Sequence, residues 1–194
     1  MLSDRLLFLM GETHISSHAV VGAPGEDKRK GVNPPNKGVE VGDGAVIREF
    51  ATVHGGFGRC TVIGPRCYLM AHTHVGHDCE LGPDVTLATG ATLGGHTIVH
   101  EGANIGLNAT THQHVTIGAY AMIGAGAVVL EDVPPFETWA GVPAKRIGWN
   151  HVGMERAGFS GDEILSIMKC ADDMPPRAVK AFAAWNVCNE RRKR

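Results

Sequence analysis

The sequence predicts a mainly β chain, wound as a left-handed parallel β-helix of hexapeptide repeats and closed by a C-terminal α-helical cap. A six-residue periodicity, a composition of small residues, and a switch to helical patterning after paired prolines carry this prediction. Stepping by six from Ile63 meets Ile63, Leu69, Val75, Leu81, Leu87, Leu93, Val99, Ile105, Thr111, Ile117, Ile123 and Val129, of which only Thr111 is not aliphatic. Four places after each stands a small residue, from Cys67 and Thr73 through Ala121 and Ala127 to Val133. Neither the helix period of about 3.6 nor two-residue strand alternation gives this pattern. Short strands on the three faces of a triangular coil do, with three hexapeptides per turn. The aliphatic residue then fills the interior and the small one a tight corner, while glycine permits unusual dihedrals. Of 194 residues 26 are Gly and only 6% aromatic, as a narrow aliphatic core requires.

In chain order, His14–Gly22 (HISSHAVVG) reads as an early pair of hexapeptides. Residues 22–38, rich in charge, Gly and Pro, interrupt the coil as a long inserted loop, a place where rigid scaffolds often carry function. Val41, Ile47 and Val53 keep the phase, but the next step, to Ile63, is ten residues, so HGGFGRC bulges outward by four. Pro134 and Pro135 end the coil. The expected division is a β-helix over 1–135 and a connector with C-terminal helices over 136–194. Ser160 with Glu163 reads as a capping box, and a second helix is expected from about Arg177 to Arg191 with Val179, Phe182, Ala183 and Val187 buried.

Net charge is −2, which gives no electrostatic footprint for nucleic acid. No apolar run approaches the roughly 18 residues that span a bilayer, and LLFLM is too short for a signal-peptide core. Five Cys without C-x-x-C spacing imply reduced thiols and a cytoplasmic location.

The densest chemistry is AHTHVGHDC (Ala71–Cys79), with His72, His74 and His77 followed by Asp78. Imidazole accepts and returns a proton near pH 7, and an adjoining carboxylate can orient it. Catalysis, a metal site and an inert surface cluster all fit the residue types. Coil stacking adds neighbours: Gly95 and Gln113 over His77, His96 and His114 over Asp78, and His112 in the column of Gly76 and Gly94. One outer edge then carries a polar column but only half a cleft, so a homotrimer with sites between subunits is expected.

The stretches IREFATVH, LMAHTHVGHDC, ATLGGH, HQHVTIGAYAMIGAGAVVLEDVPPF and GWNHVGMERAGFS resemble the acyl-carrier-protein-dependent UDP-N-acetylglucosamine acyltransferases of lipid A synthesis, within the hexapeptide-repeat transferases. The resemblance implies His77 as general base, Asp78 as its orienting partner, and the Gly95 N–H as oxyanion donor. It implies substrate contacts from Asp27, Lys28, His74, His96, His112, Gln113, Asn150 and Arg156. It places Ala125 in the acyl-chain pocket, where the family pattern has Gly. No bound cofactor or metal is implied, only an acyl thioester co-substrate on acyl carrier protein or coenzyme A. The loop pattern G-x-x-PQD-x-K becomes GAPGEDK, and KRR becomes Glu155-Arg156-Ala157. Several N-terminal coils of the family have no counterpart here. GVPAKRIG resembles the ending of coenzyme A-dependent acetyltransferases, in which Lys145 would serve a coenzyme A phosphate. A γ-class carbonic anhydrase, with His72, His77 and His100 on zinc, is the reading from another reaction class.

Overall fold

The computed structural model describes residues 6–31 and 34–192. Most strands are two residues long and pair in parallel with the strand 18 positions on, as in Glu80↔Ile98, Thr86↔Asn104 and Thr92↔Thr110. They stack into two six-stranded sheets and one of eight, the three faces of a parallel β-helix. The aliphatic series from Ile63 to Val129 is buried inside. Its one exception is accommodated by pairing: Thr111 Oγ1 accepts from Gly94 N at 3.2 Å and bonds Thr97 Oγ1 at 3.2 Å. Thr97 Oγ1 also donates to Gly94 O at 2.6 Å, so two buried hydroxyls pin the peptide beside Gly95.

From Arg66 to Gly126 the corners each include one residue at positive φ, among them His72, Asp78, Asp84, His96, Asn108, His114 and Tyr120 at 53–65°. That region costs a non-glycine residue roughly 1–2 kcal/mol, least for short polar side chains such as Asp and Asn, and His shares the enrichment. The backbone thus favours His and Asp at corners before any chemistry is considered, and His72 needs no more than this. Its ring stacks on Phe50 at 5.0 Å.

The coil does not stop at the paired prolines. Glu137–Ala140 pairs in parallel with Met122–Ile123, then turns back through an antiparallel partner, Lys145–Trp149. This segment was expected to be a connector; its hairpin has no six-residue phase by which to announce it. Three helices follow: α1 (His151–Arg156), α2 (Gly161–Lys169) and α3 (Pro176–Arg192). Both halves of the Ser160–Glu163 capping box form. The buried stripe of α3 is rotated by about one residue from the expected one, since Ala178 and Ala181 are buried while Val179 and Val187 are about half exposed. Alanine lets the helix lie close to the cluster of Phe136, Met154 and Phe159, which the larger valines would hold away. No helix among the described residues is long and apolar enough to cross a membrane.

Candidate active site

Three outer corners run the length of the prism. One stacks His77, Gly95 and Gln113, through His96 N–His77 O and His114 N–Gly95 O hydrogen bonds of 2.9 Å each. The residues after them, Asp78, His96 and His114, form the adjoining column. The His96 and His114 rings stack at 4.4 Å, nearly parallel, and His96 meets His77 edge-on at 4.9 Å.

Asp78 is 1% exposed, yet every acceptor position of its carboxylate is used. Oδ1 accepts from the N–H groups of Gly58 (2.8 Å) and Arg59 (3.0 Å). Oδ2 accepts from Phe57 N (2.9 Å) and from His77 Nδ1 (2.8 Å). Burial pushes its pKa up, but the three backbone donors and the imidazole outweigh it and hold the carboxyl at about 2. The donors belong to the bulge that lengthened the step from Val53 to Ile63. Arg59 closes that bulge onto the corner by donating Nε (3.1 Å) and Nη2 (2.9 Å) to the Asp78 carbonyl. An ionised carboxylate only accepts, so Nδ1 of His77 donates and Nε2 carries the lone pair.

Gly95 lies against that lone pair. A Cβ at this position would come within 2.8 Å of both His77 Cε1 and Nε2. Among the described residues its N–H has no acceptor, and the coil never needs one there, because Pro65 and Pro83 occupy the equivalent place. A base and an unused donor therefore meet at one corner. His74, flanking it, bonds Thr52 Oγ1 at 2.7 Å and meets His54 edge-on at 5.0 Å. Burial lowers the pKa of His54, His74 and His96, so all three are neutral near pH 7.

Two cavities open on this corner. One, of about 450 Å³, is lined by Glu26, His54, His74, His77, Gly95 and Gln113, with His112 at its edge. The other, of about 680 Å³, takes in Asp27, Lys28, Arg29 and Lys30 of the inserted loop together with His77, His96 and His114. The loop thus brings both expected residues, Asp27 and Lys28, to the site. Asp27 pairs with Arg29 through two bonds of 3.0 and 2.9 Å, and Arg29 lowers its pKa to about 2.

The remaining expected residues lie elsewhere on the chain. Asn150 caps α1, accepting from Gly153 N at 3.0 Å and donating to Tyr120 O at 2.8 Å. With Arg156 it lines a third cavity of about 860 Å³ that also includes Trp149 and Arg177. Ala125 is exposed on the corner it shares with Thr89 and Leu107. One chain therefore does not gather Asn150, Arg156 or Ala125 around His77. Residues that sequence reasoning left unassigned include His54, Arg29, Phe57 and Arg59. The ten-residue step located the last two, but backbone donors carry no residue signature.

His77, Asp78 and His96 offer donor atoms within 4.8 Å of one another, the geometry of a possible metal site. A cation would have to displace backbone N–H groups from Asp78, whose oxygens are already filled. His72, His77 and His100 do not converge within the chain: His72 packs on Phe50, while His100 lines a cavity beneath α3 beside Lys180.

Asp78 also predicts a pH dependence of stability. Its pKa is lower in the folded chain than unfolded, so its contribution is complete above about pH 4 and is lost as pH falls through about 2. Urea titrations at pH 5 and pH 2 should therefore show Asp78→Asn lacking about 2 kcal/mol of the wild-type pH dependence. Equal slopes for the two proteins would contradict the assignment.

The bacterial transferase hexapeptide family (six repeats) matches residues 60–95, and the second domain of the UDP N-acetylglucosamine O-acyltransferases matches residues 132–174. Among curated proteins, the acyl-[acyl-carrier-protein]–UDP-N-acetylglucosamine O-acyltransferase of Herminiimonas arsenicoxydans is 37% identical over 158 residues, 80% of this chain and 60% of that protein. Its counterpart in Alkalilimnicola ehrlichii is 40% identical over 154 residues, 78% of this chain and 59% of that protein. The UDP-N-acetylglucosamine acyltransferase structure from Francisella novicida superposes with a TM-score of 0.77 at 31% identity, covering 81% of this chain and 58% of that one. The Arabidopsis structure gives 0.78 at 28% identity, covering 92% and 66%.

Fold and site together define a parallel β-helix of hexapeptide repeats, part of which matches the bacterial transferase hexapeptide family. More particularly, the chain is a relative of the UDP-N-acetylglucosamine O-acyltransferases, and it spans about three fifths of the length of the curated relatives it matches.

Proposed function

We propose that this protein is an acyltransferase that moves an acyl group from a thioester on acyl carrier protein to a UDP-N-acetylglucosamine-like nucleotide sugar. The observation that supports it most is the His77 imidazole, oriented by a saturated, ionised Asp78 and aiming its free Nε2 at the Gly95 corner. In this reading Nε2 removes the proton from the acceptor, whose nucleophile attacks the thioester carbonyl. The Gly95 N–H receives the developing oxyanion, and His77 returns the proton to the leaving thiolate. A positioned base contributes roughly 10²–10⁴-fold, and an oxyanion donor roughly 10²–10³-fold.

The protein would act as a homotrimer. Packing prisms around a threefold axis can bring the Asn150, Arg156 and Ala125 regions of one protomer to the His77 corner of another, which one chain does not do. Asn150 and Arg156 would then hold the nucleotide, with Ala125 beside the acyl chain, and five free cysteines suit a cytoplasmic enzyme. In the coenzyme A alternative Lys145 takes a phosphate, but here Lys145 is engaged with Glu131 at 2.5 Å.

The test is to incubate the protein with UDP-N-acetylglucosamine and either 3-hydroxyacyl carrier protein or the matching acyl-coenzyme A, then detect acylated sugar nucleotide by mass spectrometry. Product from the carrier-protein donor is expected; product from neither donor would end this reading. Gln113 lines both cavities at the base, so Gln113→Ala should raise KM for the sugar nucleotide more than it lowers kcat. The reverse split would remove Gln113 from substrate binding.

A further inference from the structure

The three main-chain donors on the Asp78 carboxylate come from the tip of a bulge, and coil stacking does not hold a bulge in place. Residues 56–60 lie between the strands Thr52–Gly55 and Thr61–Ile63 and belong to neither. The base of the bulge is secured by the end of the inserted loop, where Lys37 N donates to Gly56 O at 2.8 Å and Gly38 O accepts from Thr61 N at 3.1 Å. Its tip has fewer fastenings. Gly58 has no side chain to offer, and Phe57 lays its ring against that of His77, with centroids 4.5 Å apart. Among the described residues only Arg59 ties the tip down with side-chain hydrogen bonds. Its Nε (3.1 Å) and Nη2 (2.9 Å) converge on one oxygen, the Asp78 carbonyl, and Nη1 reaches Glu80 Oε2 at 3.0 Å. Arg59 therefore grips Asp78 twice, with its main-chain N–H on the carboxylate and its guanidinium on the carbonyl. The Glu80 pair is about half exposed on both sides and adds little by itself, so the fork on the carbonyl does the fixing. Lysine offers a single point donor, whereas the planar guanidinium presents Nε and Nη2 side by side. Nor can the bulge be stiffened from within: a Cβ on Gly56 would overlap the Arg59 carbonyl and come within 3.0 Å of Asp78 Oδ1.

We propose that Arg59 is a positioning residue for the reaction: its guanidinium fork holds the bulge on Asp78 and thereby keeps the His77 imidazole in its productive tautomer and direction. Arg59 acts through Asp78 and the bulge rather than on the reacting atoms. Without the fork, the N–H groups of Phe57, Gly58 and Arg59 are free to swing off the carboxylate. Those donors favour the charged form, so their loss raises the Asp78 pKa towards its ordinary value. The Nδ1–H of His77 then loses a fixed acceptor, and Nε2 is no longer held towards the Gly95 corner. A misplacement of about 1 Å can cost 10²-fold, and the Phe57 ring contact, which remains, limits the loss to about tenfold. This inference rests on the acyltransferase reading for its rate measurement, whereas the ionisation of Asp78 is measured without it.

The experiment compares Arg59→Ala and Arg59→Lys with wild type in the full chain, with circular dichroism confirming that each is folded. Carbon-13 NMR of the Asp78 carboxyl between about pH 3 and 5 should find it almost wholly ionised in wild type, whose pKa is about 2. Both variants should titrate inside that range, near the ordinary value of about 3.9. With a carrier-protein donor, each variant should lose about tenfold in kcat while KM for the sugar nucleotide stays within about twofold. A carboxyl that stays ionised in both variants, an unchanged kcat in both, or full rescue by Lys would each overturn the proposal. Absence of acyl transfer by wild type would instead refute the acyltransferase reading, and the Asp78 titration alone would then decide the role of Arg59.

Discussion

His77→Ala is expected to lower turnover by at least about 10²-fold while leaving oligomeric state and thermal midpoint close to wild type. His77 is the one imidazole at this corner whose Nδ1 is committed to an ionised carboxylate, which leaves Nε2 free to act. His96 and His114 stack on each other at 4.4 Å in the adjoining column, which engages their rings with one another rather than with the Gly95 corner. Steady-state rates with a carrier-protein donor, compared with unfolding curves, separate lost chemistry from lost fold. A near-wild-type rate would refute the base assignment.

The second large effect is expected at Gly95, where Ala should lower kcat by about 10²-fold or more. The backbone N–H remains, but the added methyl would fall 2.8 Å from His77 Nε2, in the space where a reacting carbonyl must approach both groups. Either the imidazole turns away or the substrate stands off, and a misplacement of about 1 Å can cost 10²-fold. Gly161→Ala, at the start of α2, is the natural control, because a Cβ there meets nothing within 4 Å. Equal activity in the two variants would show that the Gly95 corner is not where the acyl group reacts.

The coil was legible in the sequence because its closure is arithmetic. Once three hexapeptides make a turn, His77, Gly95 and Gln113 must share a corner, and the residues after them must share the next column. Thr111, the one irregular member of the core series, could not be explained in that way, since its partner Thr97 is found only across the interior. The support of Asp78 was half legible: ten residues from Val53 to Ile63 marked a bulge, but three main-chain N–H groups have no side-chain signature. The hairpin after Pro135 and the rotated face of α3 escaped because local pattern does not report how closely an alanine-faced helix can approach a neighbour. Asn150, Arg156 and Ala125 matched motif positions, yet Asn150 and Arg156 lie at the two ends of α1 and Ala125 on another corner, and a motif match does not report where in the fold a residue sits.

A crystal soaked with the sugar nucleotide tests the central assignment most directly. The account predicts density in the cavity at His77, with the sugar's 3-substituent about 2.6–3.2 Å from Nε2, within hydrogen-bond reach. A nucleotide bound only beside Asn150 and Trp149, with its sugar pointing away from His77, would contradict it.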